Sequence, residues 1–78
     1  MASIRETFIQ SGRNLRRIRT EKNMSVPVLS VLSKVDESTI DAMEAGRFDF
    51  PISSLFELAA ALNVDFREIL VDRQPITK

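Results

Sequence analysis

Two short segments, Val26 to Ser33 and Glu37 to Ala45, are closed off so tightly that only a turn fits between them. Ser25 precedes the first as an N-cap, and Pro27 falls in its first turn, where the N–H groups have no helical partner to lose. Lys34-Val35 is the connection, Asp36 caps the second helix, and Gly46 ends it in the left-handed conformation that glycine adopts freely. Val28, Leu29 and Leu32 are the candidates for burial on the first of these helices. At about 100° per residue, Thr39, Ile40 and Met43 fall on the inner side of the second helix. Glu37, Ser38, Asp41, Ala42 and Ala45 fall on its exposed side.

The flanking segments are helical too. Ser3-Ile4-Arg5-Glu6 has the spacing of a capping box, and Ile4, Phe8, Leu15 and Ile18 share one face of a helix running from about residue 3 to 20. Gly12 interrupts it at a modest propensity cost, and Lys22-Asn23 closes it. After the loop Arg47–Pro51, Leu55, Leu58, Ala59 and Leu62 keep helical spacing over 51–62, with Asn63 as terminator. Asp65 to Glu68 has capping-box spacing again and launches a fifth helix over 66–71, after which residues 73–78 form a flexible tail. No strand pattern or internal repeat competes. The expectation is one all-α domain, 1–72, of five helices joined by short loops.

Composition narrows the chemistry. With no Cys and no His there is no disulfide framework and no ordinary zinc ligand set, so no metal and no cofactor is expected. The absence of Cys, His and Tyr also removes the usual nucleophile, general base and phenolic acid, and two glycines make no phosphate-binding loop. The expectation is a protein that is not an enzyme. No apolar run approaches a membrane span, which predicts a soluble, cytoplasmic chain. Net charge is zero but unevenly spread: residues 1–34 carry seven basic groups against two acids, and residues 35–78 carry four against nine. A basic and an acidic face follow from that division, or simply a set of solvated helix surfaces.

Taken in order, Leu15, Ile18-Arg19, Lys22-Asn23-Met24-Ser25, Leu29, Val35, Ser38-Thr39-Ile40 and Met43-Glu44-Ala45-Gly46 resemble the lambda-repressor/Cro-type (XRE) helix-turn-helix family. The pattern resumes at Leu55, Leu58-Ala59, Ala61-Leu62-Asn63-Val64 and Ile69-Leu70, so the resemblance spans roughly Gly12 to Leu70. It implies a lambda-repressor-like DNA-binding domain acting as a transcription regulator, with double-stranded DNA as partner and a homodimer meeting a two-fold operator. It implies a structural ion pair between Arg19 and Glu44. It also implies base-reading positions at Glu37, Ser38, Asp41 and Ala42, phosphate contacts near Arg13, Ser25, Lys34 and Arg47, and dimer contacts near Phe66, Ile69 and Leu70, for which a core role is an equal alternative.

The chain departs from that pattern where DNA is met. The glutamine usual at the start of the second helix is Val26, and Pro27 removes one backbone N–H from that helix end. The long donors that discriminate bases by about 1–3 kcal/mol are missing from the third helix. Glu37 and Asp41 accept only from exocyclic amines such as cytosine N4, and both sit among phosphates. Arg16 and Arg17 read as solvated charges, while Arg47 is balanced between solvent and phosphate. Phe50 beside Pro51 is expected to fold onto the core, and an exposed Phe48 would mark a protein-facing patch. The alternative function is therefore a protein-interaction module on the same scaffold, docking a partner through its acidic third helix.

Overall fold

The computed structural model describes residues 3–47 and 50–70, and they form five helices: α1 (Ile4–Glu21), α2 (Val26–Ser33), α3 (Glu37–Glu44), α4 (Ile52–Leu62) and α5 (Phe66–Leu70). No strand occurs among the described residues. Helix α1 begins at a complete capping box, in which Glu6 N–H donates to Ser3 Oγ at 3.1 Å and Ser3 N–H donates to Glu6 Oε1 at 3.1 Å. Ser25 caps α2 by accepting from Val28 N–H at 3.3 Å. Asn23, Lys34, Asn63 and Gly46 all take positive φ, of 56°, 65°, 58° and 87°. Each of the four stands where a helix must stop and the chain must reverse.

The boundaries differ in small ways from those the sequence suggests. Pro51 stands at the N-cap of α4 rather than inside it, and Ala45 is the C-cap of α3 rather than its last residue. Asp36 occupies the N-cap of α3, yet its side chain makes no capping hydrogen bond. Asp65 does cap α5, but by accepting from Arg67 N–H at 2.9 Å and from the Arg67 guanidinium, contacts that hold its carboxyl down at about 2. Val71, the tail 73–78 and Phe48 lie outside the described residues.

Helix α1 packs on α3 and α5, α2 packs on α3 and α4, and α4 packs on α5. The shared core is Leu15, Ile18, Leu29, Val35, Ile40, Met43, Leu55, Leu58, Ala59, Leu62 and Ile69. Phe50 is half-buried against it, edge-on to Phe8 with ring centroids 5.7 Å apart. Ile4, by contrast, is 73 % exposed, because the first turn of α1 runs past the end of the core.

Helix α2 corrects a sequence expectation. Val28 and Leu32 are 49 % and 56 % exposed, and the buried stripe is Leu29 with Ser33, flanked by half-buried Val26 and Ser30. The two serines decide this rotation. Ser30 Oγ donates to Val35 O at 2.6 Å and Ser33 Oγ accepts from Val35 N–H at 3.2 Å, so together they satisfy the backbone of the turn. Facing Val28 and Leu32 inward would leave that buried peptide without partners, a loss of about 1–3 kcal/mol per group.

Gly12 has a reason beyond its propensity cost. A Cβ there would run into the carbonyl oxygen of Met43 and lie 3.1 Å from that of Glu44, so α1 and α3 cross with backbone against backbone. Alanine at this position gains about 1 kcal/mol of helix propensity but forces the helices apart, and overpacking of this kind costs about 1–3 kcal/mol or more. Gly12→Ala is therefore expected to lower the melting temperature in circular dichroism; an equal or higher value would show that the crossing can relax.

Candidate nucleic-acid interface

Arg19 leaves α1 toward the C-terminal end of α3. Its Nε donates to Glu44 Oε2 at 2.7 Å, one terminal nitrogen donates to Glu44 Oε1 at 2.9 Å, and the other donates to Met24 O at 2.8 Å. The backbone answers in kind, with Met24 N–H donating to Arg19 O at 3.0 Å. Both charged side chains are nearly enclosed, 12 % and 11 % exposed. The Glu44 hydrogen bond is the main reason the guanidinium pKa is raised, with burial opposing and the charges of Glu44 and Asp41 adding. An acid in the last turn of a helix meets the negative end of its dipole, so Arg19 offsets both the carboxylate and the helix terminus. One residue thereby ties α1, the start of α2 and the end of α3.

That tie sets the exposed side of α3. Glu37, Ser38 and Asp41 are exposed and Ala42 is half-buried, so these four base-reading candidates stand together along one ridge. Asp36 and Ala45 are exposed at its two ends. A shallow depression of about 350 Å³ runs on one side, lined by Arg16, Arg19, Val26, Asp41, Glu44 and Ala45. A second, of about 230 Å³, runs on the other, and Lys34, Asp36, Thr39, Ser54 and Glu57 are among its walls.

The phosphate candidates are not gathered so closely. Ser25 is exposed with its oxygen engaged as the α2 cap, Arg13 is exposed on α1, and Arg47 is exposed after Gly46. Lys34 lies in the second depression beside two acids, Asp36 and Glu57. Val26, in place of a polar residue, is half-buried against the core, which accounts for an apolar side chain at that position. Arg16, which the sequence offers to phosphate but reads first as a solvated charge, is exposed and lines the depression against α3, whereas Arg17 is paired with Glu21 at 3.6 Å. Its signal was available, since Gly12, Arg16 and Arg19 follow one another at the spacing of a single helix stripe.

Of the dimer candidates, Ile69 is fully buried and is removed from any contact surface, because it fills the core between α1 and α4. Phe66 and Leu70 are half-buried. Phe66 lies against Phe56 with centroids 4.8 Å apart, and Phe56 and Ile52 are 48 % and 60 % exposed.

Breaking the Arg19 tie isolates a nearly enclosed charge. Loss of one partner from a buried pair costs about 3–5 kcal/mol, less where water reaches it. Glu44→Gln is expected to destabilise the fold by about 2–3 kcal/mol, read as a lowered midpoint in urea denaturation. The double variant Arg19→Met/Glu44→Leu should recover part of that loss; no recovery would assign the effect to packing alone.

The helix-turn-helix family HTH_3 matches residues 15–69. Among solved structures, the restriction-modification controller protein C.AhdI from Aeromonas hydrophila is 32% identical, with 80% of this chain and 94% of that one covered and a TM-score of 0.74. A hypothetical transcription factor from Neisseria, NHTF, is 24% identical with 91% and 83% covered and a TM-score of 0.77. An HTH_3 family transcriptional regulator from Vibrio cholerae is 19% identical with a TM-score of 0.79, covering 86% of this chain and 38% of that one. The last two show the fold alone. No curated protein matches the chain, and no described helix is long and apolar enough to cross a membrane. By the span of the family match and the identity to the Aeromonas protein, the chain belongs to the lambda-repressor/Cro-type (XRE) helix-turn-helix family of DNA-binding transcription regulators.

Proposed function

We propose that this regulator binds a two-fold operator as a homodimer, presenting α3 to the major groove. The observation that carries the reading is the ridge of Glu37, Ser38 and Asp41, exposed along its length while the Arg19–Glu44 pair fixes the helix behind it. Ser38 pairs with either kind of base edge, Ala42 touches a thymine methyl, and Glu37 and Asp41 accept from cytosine N4 or adenine N6. Such a thin code leans on DNA shape and on doubling by symmetry. Arg13, Ser25, Lys34 and Arg47 serve the phosphates in this reading, which carries with it a cytoplasmic location.

The dimer surface is supported by an apolar patch across α4 and α5. Ile52 and Phe56 are exposed there beside half-buried Phe66 and Leu70, and Ile52 and Leu70 also border one small apolar cleft of about 60 Å³. Exposed apolar area of this kind marks a contact site. Sedimentation equilibrium is expected to give a dimer that Phe56→Glu converts to a monomer; a monomeric wild type at operator-binding concentrations would remove the symmetric model.

Titration into a labelled random-sequence duplex, followed by anisotropy at several salt concentrations, tests the DNA reading itself. Binding should weaken as salt rises, and Arg13→Glu and Arg47→Glu should weaken it further, because each reversal exchanges a phosphate attraction for a repulsion. Selection from randomised duplexes then yields the operator. If no duplex binds in either assay, the protein-interaction reading through Asp36, Glu37 and Asp41 takes its place.

A further inference from the structure

We propose that Arg16 is a phosphate-anchoring residue of this interface, working as a unit with Asp41 so that an acidic ridge can enter the groove. The proposal rests on the DNA-binding reading and assigns within it a residue that the family-based reading leaves to solvent.

A helix lying in a groove has a phosphate strand along each side, and the ridge of α3 has a polar depression along each side. The two depressions differ in charge. On the α4 side, Lys34 faces Asp36 and Glu57, so that wall is net acidic. On the α1 side, Arg16 and Arg19 face Asp41 and Glu44, so that wall is balanced. Arg19 is spent on Glu44 and on the Met24 carbonyl. Arg16 is exposed and forms no ion pair among the described residues. It is therefore the cation free to meet an anion in that depression.

Three local features make its role specific. Val26 is packed against the core and brings no polar group to this wall, and Pro27 lacks a backbone N–H to offer an anion. The α2 end thus gives a phosphate less than a polar N-terminus does. Arg16 reaches the same wall from α1, one turn beyond the Gly12 crossing that brings the two helices into backbone contact. Asp41 shares the wall, so the cation that takes the phosphate also offsets the carboxylate that the phosphate repels.

The test compares Arg16→Ala, Lys34→Ala and Asp41→Asn, singly and as Arg16→Ala/Asp41→Asn, on a random-sequence duplex across salt. All three sites are exposed, and a thermal melt checks that each variant stays folded. One phosphate contact is worth a slope of about 0.9 in log K against log salt, which is about eightfold in affinity at 0.1 M. Arg16→Ala should lose at least that and flatten the slope accordingly, while Lys34→Ala, whose charge Asp36 and Glu57 offset, should lose less. The loss from Arg16→Ala should be smaller in the Asp41→Asn background, where no carboxylate is left unscreened. Wild-type binding with Arg16→Ala unchanged overturns the assignment and leaves the DNA reading standing. Equal losses from Arg16→Ala and Lys34→Ala overturn the asymmetry between the two sides. Equal losses from Arg16→Ala in both backgrounds overturn the coupling to Asp41. No wild-type binding to random duplexes, or to duplexes from a randomised selection, overturns the DNA reading together with this assignment.

Discussion

Arg19 is the residue on which the arrangement of the helix-turn-helix depends. Its three hydrogen bonds reach Glu44 at the end of α3 and Met24 before α2, and Met24 returns one to its backbone. Short helices of eight residues are unstable alone and take their stability from what they pack against. For α3 that packing includes a bare backbone crossing at Gly12, where no side chain separates the helices. A polar tie suits such a crossing because it specifies direction: a bidentate guanidinium–carboxylate pair is satisfied in one rotation of α3, whereas apolar contact tolerates several. The exposed ridge inherits its orientation from that pair.

The C-terminal helix uses a similar device. Helix α5 is described over Phe66–Leu70, and polar side chains of α1 reach its last described carbonyls. Fully buried Asn14 donates to Ile69 O at 3.0 Å and Gln10 donates to Asn14 Oδ1 at 3.3 Å, while the Ser11 hydroxyl, which donates to Thr7 O at 2.9 Å, also lies 3.4 Å from Leu70 O. Helix α1 thus holds the backbone of α5 with a buried side chain while Ile69 fills the core between them. A domain this small has little apolar area to bury. Buried polar groups that are fully bonded fix its geometry where hydrophobic burial alone is undirected.

The acidity of α3 is less severe in three dimensions than along the chain. Glu44 is consumed by Arg19, and Asp41 shares its wall with both arginines. What remains bare is the N-terminal end, Asp36 and Glu37, where the helix dipole favours negative charge. The carboxylates are therefore compatible with the fold at both ends, and in the proposed DNA reading the cost falls on binding, where cations on α1 would have to outweigh them. In the proposed reading, discrimination would come from repulsion as well as attraction, since a base without an amine to donate would be met by a carboxylate.

Much of this was legible from residue order. Caps at Ser3, Ser25 and Gly46, left-handed stops at Asn23 and Asn63, and the spacing of Leu15, Ile18, Leu55, Leu58 and Leu62 determine five helices because each is a local rule, satisfied within a few residues of itself. The exposed side of α3 followed from helical period for the same reason. Rotation and contact between elements were not local. Whether Val28 or Ser33 of α2 faced inward was decided by the backbone of Val35, and the need for Gly12 by carbonyls more than thirty residues away. The tertiary structure likewise enclosed Ile69 and put Arg16 beside Asp41. Periodicity gives a helix a face, but only packing chooses its neighbour, and it is the neighbour that decides which charges remain free to act.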